Sequence, residues 1–123
     1  MAKINNLKDW VAELKQTTKL ILVEGIKDKI ALEKLGINKK TLTINCAHYK
    51  LIESIADENK ECILLLDLDK EGKKLYSIFR HHLQARKVKI DKTFREFLFR
   101  KTKLTQIQGI YNYSNKELKD LDS

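Results

Sequence analysis

Three acidic residues stand where apolar runs give out. Glu24 closes KLILVE at residues 19–24, and Asp67 and Asp69 close CILLLDLD at residues 62–69. An ionised carboxylate at the end of an apolar strand needs a partner, because losing water without one is costly. Carboxylates gathered in one place also repel each other unless a cation sits among them. Mg²⁺ suits such a set: it takes oxygen ligands and leaves positions for water and substrate phosphate. Mn²⁺ accepts similar ligands. On a strand, Asp67 and Asp69 would face the same side, being two residues apart. Asp69 also has a plainer use as the N-cap of a helix beginning at Lys70.

These acids must be positioned by strands that end together. KLILVE is a continuous apolar run, as in a strand buried on both faces. After Gly25, residues 26–35 repeat apolar positions at Ile26, Ile30, Ala31 and Leu35, which predicts a helix stopped by Gly36. Residues 41–45 form a second strand, and residues 48–59 a helix through Leu51, Ile52 and Ile55. The third strand covers 62–69. A helix follows over 70–84 with Leu75, Ile78, Phe79 and Leu83 on one face, and Gly72 lets the chain turn into it. Residues 87–90 read as a fourth strand, and 93–101 as a helix with Phe94, Phe97 and Leu98 inward. A first helix over 5–17 is capped by Asn5 or Asn6. The tail after Leu104 carries Ile107, Ile110, Tyr111 and Leu118, which could dock on the sheet.

Alternating strands and helices imply an α/β domain: about four parallel strands with helices on both faces. Ligands of such sheets bind outside the carboxyl ends of the strands, near the switch in strand order. If the first and third strands are neighbours, all three carboxylates share that rim.

With 123 residues the chain fits a single domain with one real core. No apolar run is long enough for a bilayer, and residues 1–9 lack the apolar centre of a signal peptide, so the expected location is cytoplasmic, away from membranes. Cys46 and Cys62 form no C-x-x-C pair, and with only His48 near Cys46 a zinc site is rejected. Net charge is +8 and pI about 9.5, which favours polyanionic partners.

The cations cluster. Arg80, Arg86, Lys87, Lys89, Lys92, Arg95, Arg100, Lys101 and Lys103 follow the third strand, interrupted only by Asp91 and Glu96. Arg95 and Lys101 fall off the apolar face of their helix, free to meet phosphates. Lys70, Lys73 and Lys74 sit beside the acidic loop, where they could steer a phosphate. Arg86 and Arg100 complete the expected nucleic-acid contacts. His81 and His82 read as surface residues, and the phenylalanines as core.

The segments ILVEGIKD (21–28) and LLDLDKEG (65–72) resemble the two signature motifs of the Toprim domain. That domain is shared by type IA and type II topoisomerases, bacterial primases, old-family nucleases and the ribonuclease that matures 5S rRNA. Either motif alone is weak; both in order, on suitable strands, are specific. The resemblance spans about 18–92, leaving 93–123 as a basic helix and tail, and the whole looks like a small stand-alone archaeal Toprim protein. It implies a Rossmann-like fold. It also implies Glu24 as general acid/base, Asp67 and Asp69 as the Mg²⁺ pair, Gly25 and Gly72 as turn glycines, and Asp28 in a supporting role. The chain lacks room for a topoisomerase's separate tyrosine domain or a primase's zinc domain.

Two functions follow as expectations. One is Mg²⁺-dependent nuclease action on structured RNA or DNA, as in RNA processing. The other is a non-catalytic nucleic-acid-binding module that positions a partner. An aspartyl-phosphate domain is a third option, since D-x-D also opens haloacid-dehalogenase-type phosphatases, but Glu24-Gly25 fits it worse.

Overall fold

The computed structural model describes residues 4–44 and 49–113. Four parallel strands lie in the order β2-β1-β3-β4: β1 (Leu20–Val23), β2 (Thr41–Thr43), β3 (Glu61–Leu65) and β4 (Lys89–Asp91). The chain steps from β1 outward to β2, then returns past β1 to β3. The switch in direction therefore falls between β1 and β3, and these two central strands are neighbours as expected.

Among the described residues, the sheet is connected and covered by α1 (Leu7–Gln16), α2 (Ile26–Lys34), α3 (Tyr49–Glu58), α4 (Lys70–Ala85) and α5 (Thr93–Lys101). On one face, Ile21, Val23, Ile63 and Leu65 meet side chains of α1, α2, α5 and the short 3₁₀ turn Ile107–Gly109. On the other, Leu20, Leu22, Cys62, Leu64 and Leu66 meet α3 and α4. This alternation is the two-residue period of a sheet buried on both sides. Trp10 anchors the first layer; its ring is fully buried, edge-on to Phe94, and its Nε1–H donates to the Phe94 carbonyl at 2.9 Å. Phe94 and Leu98 are buried and Phe97 packs beside them, as the periodicity predicts.

Helix ends follow local chemistry. Asn6, rather than Asn5, caps α1, its side chain accepting from Asp9 N–H at 2.8 Å. Gly36 ends α2 at φ +83°, with its N–H on Glu33 O and Ile37 N–H on Leu32 O. Lys87 ends α4 by the same pattern at φ +66°, its N–H donating to Gln84 O and Val88 N–H to Leu83 O.

The structure corrects several expectations. β3 stops at Leu65, so Asp67 and Asp69 lie in the turn after it and not on the strand. The fourth strand is Lys89–Asp91 rather than 87–90, because Lys87 adopts the left-handed conformation. On α2 the inward face is Asp28, Ala31 and Leu32; Ile26 and Ile30, expected inside, are 60% and 42% exposed. The Ile107 and Ile110 anchors are buried as expected, whereas Leu118, Cys46 and His48 lie outside the described residues. Among the described residues, no helix is long and apolar enough to cross a membrane.

Candidate metal centre

The carboxyl ends of β1 and β3 bring Glu24, Asp67 and Asp69 together. One carboxylate oxygen from each lies within 4.8 Å of the others. They line an open cavity of about 580 Å³, with Asp28, Glu71, Gln106 and Gln108 among the neighbours.

Each acid is held differently. Glu24 follows β1 directly; its carboxyl lies within hydrogen-bonding reach of the Asp67 carboxyl, and its buried Oε1 meets no donor group of the protein. Asp67 is buried, and its Oδ1 accepts the Ile107 N–H at 2.8 Å. Asp69 caps α4, Oδ1 accepting from Gly72 N–H at 2.8 Å, while Gln106 Nε2 reaches Oδ2 at 3.3 Å. The capping use of Asp69 and its place in the cluster thus coexist on different oxygens.

The electrostatics are those of acids pressed together. Burial, then the charges of Asp67, Asp69 and Asp28, pushes the Glu24 carboxyl up to about 7. Burial raises Asp67 as well, opposed by the Ile107 N–H and reinforced by Asp69. Asp28 is buried behind them and also raised by burial; its Oδ2 accepts from Gly25 N–H at 3.0 Å, which fixes the start of α2. The residues present fit a hard divalent cation. All three donors are carboxylate oxygens, one buried oxygen meets no donor group, and mutual repulsion would be relieved by positive charge.

The two glycines differ from expectation. Gly25 is extended at φ −146°, and a Cβ there would meet nothing within 4 Å, so no tight turn demands it. Gly72 lies in the first turn of α4, where a Cβ would fall on the Asp67 carbonyl; close approach, not turning, requires it.

Arg95 is the main correction among the cations. It is not free for phosphate: Nε donates to Leu66 O at 2.9 Å and an Nη to Asp67 O at 3.2 Å, beneath a Tyr76 ring 4.1 Å away. It fixes the backbone that carries Asp67, and burial lowers its pKa. Lys70, Lys73 and Lys74 are exposed on α4, while Glu71 and Leu75 supply that helix's cavity lining. Arg86 sits at the far end of α4, donating to His82 O at 3.1 Å and lying 4.9 Å from the Tyr49 ring. Arg100 and Lys101 are exposed in the last turn of α5. His81 is exposed and His82 half-buried.

Sequence reasoning docked Ile107 on the sheet but missed that the segment 105–108 belongs to the site. Leu68 N–H donates to Thr105 O at 2.8 Å, and Gln108 Nε2 donates to Gln106 Oε1 at 2.9 Å, so the segment straps the acidic turn. The alternation Q-I-Q signalled that Ile107 would dock, but a backbone N–H aimed at a carboxylate leaves no mark in side-chain identity.

Comparison with known proteins places this geometry. The family model described as Toprim-like matches residues 21–101. The UPF0292 protein MJ1624 of Methanocaldococcus jannaschii is 31% identical over 118 residues, covering 91% of this chain and 92% of that protein. The UPF0292 protein PYRAB04740 of Pyrococcus abyssi is 29% identical over 104 residues, covering 83% and 79%. A solved structure, a putative protein from Aquifex aeolicus, is similar at TM-score 0.76 and 30% identity, covering 85% of this chain and 98% of that one.

Proposed function

The chain belongs to the Toprim-like family, and from that premise we propose that it is a Mg²⁺-dependent nuclease acting on structured RNA or DNA. The observation that carries the proposal is the convergence of Glu24, Asp67 and Asp69, with the buried Glu24 oxygen left without a donor group. These three residues would hold the ion, with Mn²⁺ able to substitute. When bound, the ion supplies charge neutralisation at a phosphoryl group.

The chain's own residues do the rest. Glu24, at the carboxyl end of β1 and facing Asp67 and Asp69, is placed to take or return a proton. The Ile107 and Gly72 N–H groups fix the rotation of Asp67 and Asp69, so neither acid must be ordered at the moment of reaction. The net charge of +8 favours approach of a polyanion toward a locally acidic rim.

The test compares wild type with Glu24→Gln and Asp67→Asn on labelled ribosomal RNA precursors and nicked DNA, with and without Mg²⁺. Cleavage by wild type alone, and only with the ion, is expected. Equal binding by all proteins with no cleavage by any would leave a binding module that positions a partner.

A further inference from the structure

The cavity at the acid cluster does not end there. It shares Lys27 and Gln108 with a second hollow of about 280 Å³ that runs on between α2 and the segment 108–112. One furrow therefore leads away from Glu24, Asp67 and Asp69 along the flank of α2.

Its lining is unusual for a solvated helix. Ile26 and Ile30 are one helical turn apart and 60% and 42% exposed. Lys27 and Lys34 follow the same flank, and Lys34 Nζ lies 5.4 Å from the centre of the Tyr111 ring on the opposite wall. Asp28 explains why the isoleucines are outside. It takes an inward position beside Ala31 and Leu32 to hold Gly25 N–H, which leaves Ile26 and Ile30 on the outer side of the helix.

Cations spaced along a groove with exposed apolar and aromatic groups between them match a strand whose bases are unpaired. Phosphates meet the lysines, and base faces meet the isoleucines and the tyrosine. A duplex hides its base faces and would leave the isoleucines without a partner. A second copy of the chain fits poorly, because a two-fold contact pairs the same patch with itself and would bring the lysines of one furrow against the lysines of the other.

We infer that this furrow is a track for an unpaired nucleic-acid strand running to or from the acid cluster. The inference rests on the proposed nucleic-acid function, and it adds the substrate form and the path.

The test measures fluorescence anisotropy of labelled twelve-nucleotide single strands, RNA and DNA in separate arms, and of their duplexes, all in EDTA. Single strands should bind about tenfold tighter than duplexes, and Lys27→Gln/Lys34→Gln should lose about tenfold with a shallower salt slope. Ile30→Ser, which removes the apolar contact without adding charge, should lose about fivefold with the slope unchanged. Mg²⁺-induced thermal shifts of the same preparations report on the acid cluster independently. Variants that bind like wild type while that shift is intact overturn the track and leave the metal reading standing. Strand binding that depends on the furrow, without any Mg²⁺ shift, supports the track and overturns the metal reading. A preference for duplex, or a dimer in light scattering that Ile30→Ser dissolves, overturns the track.

Discussion

The two ends of this sheet handle charge in opposite ways. At the amino ends of β1 and β3, Lys19 Nζ sits 3.3 Å from Glu61 and reaches 2.6 Å to Asp91, the last residue of the short edge strand β4. Burial alone would lower the Lys19 pKa, but the two acids outweigh it and raise it. Burial would likewise raise Asp91, but Lys19 and Thr93 hold it below the usual range. At the carboxyl ends, Glu24, Asp28 and Asp67 are all raised, and the neighbouring charges that shift Glu24 are all acidic. One rim closes its own electrostatics; the other leaves a deficit of positive charge. The same two strands, β1 and β3, connect both rims, so the contrast is set by which side chains flank their ends and not by the fold.

The largest effect should come from Gly72→Ala. Its Cβ would collide with the Asp67 carbonyl, and both backbones are held, Asp67 by Arg95 and Gly72 by Asp69. A loss of about 3 kcal/mol or more is expected in urea unfolding, with the Mg²⁺ response abolished. Gly25→Ala is the control, meeting open space.

Next comes pH and metal. In EDTA the stability contributed at the carboxyl rim should fall as pH rises from the ordinary Glu value of 4.5 to about 7, because the folded state resists ionising Glu24. Glu24→Gln should flatten that fall. Mg²⁺ at a hundredfold its Kd should add about 2.7 kcal/mol to wild type and much less to the variant, read as a thermal shift.

Lys19→Met tests the opposite rim with a smaller loss, about 1–2 kcal/mol at neutral pH. The Asp91 contribution is present above 3.8 and lost as pH falls through its lower folded pKa. The Lys19 contribution is present below 10.5 and lost as pH rises through its higher folded value. The variant should lose the alkaline limb and keep only the part of the acid limb that Thr93 supports, and Mg²⁺ should stabilise it as much as wild type. The smallest effect is Lys87→Gly at the same rim: relief of the left-handed conformation should add about 0.5–1 kcal/mol in chemical denaturation.

The contrast was only half visible in the sequence. The runs LILV and ECILL dictate two central strands, and acids just beyond them had to meet once those strands became neighbours. The length of β3 was not readable, since Leu66 is as buried as the strand residues before it. Lys19, Glu61 and Asp91 are far apart in sequence, and only the register of β1, β3 and β4 joins them. Periodicity placed Arg95 off its apolar face correctly but said nothing about two backbone carbonyls waiting there. For α2 the period misled, because a buried acid can claim the inward position when it has a backbone N–H to accept.

The bond from Ile107 N–H to Asp67 spans forty residues and has a bearing on biosynthesis. A ribosome delivers β1, β3 and their acids well before it delivers the strap. Until Ile107 emerges, Asp67 has no donor to set its rotation, and a nascent chain carries the acids without the finished constellation. Competence therefore arrives only once residues 105–108 have been made, so a chain broken off before them would lack an ordered centre.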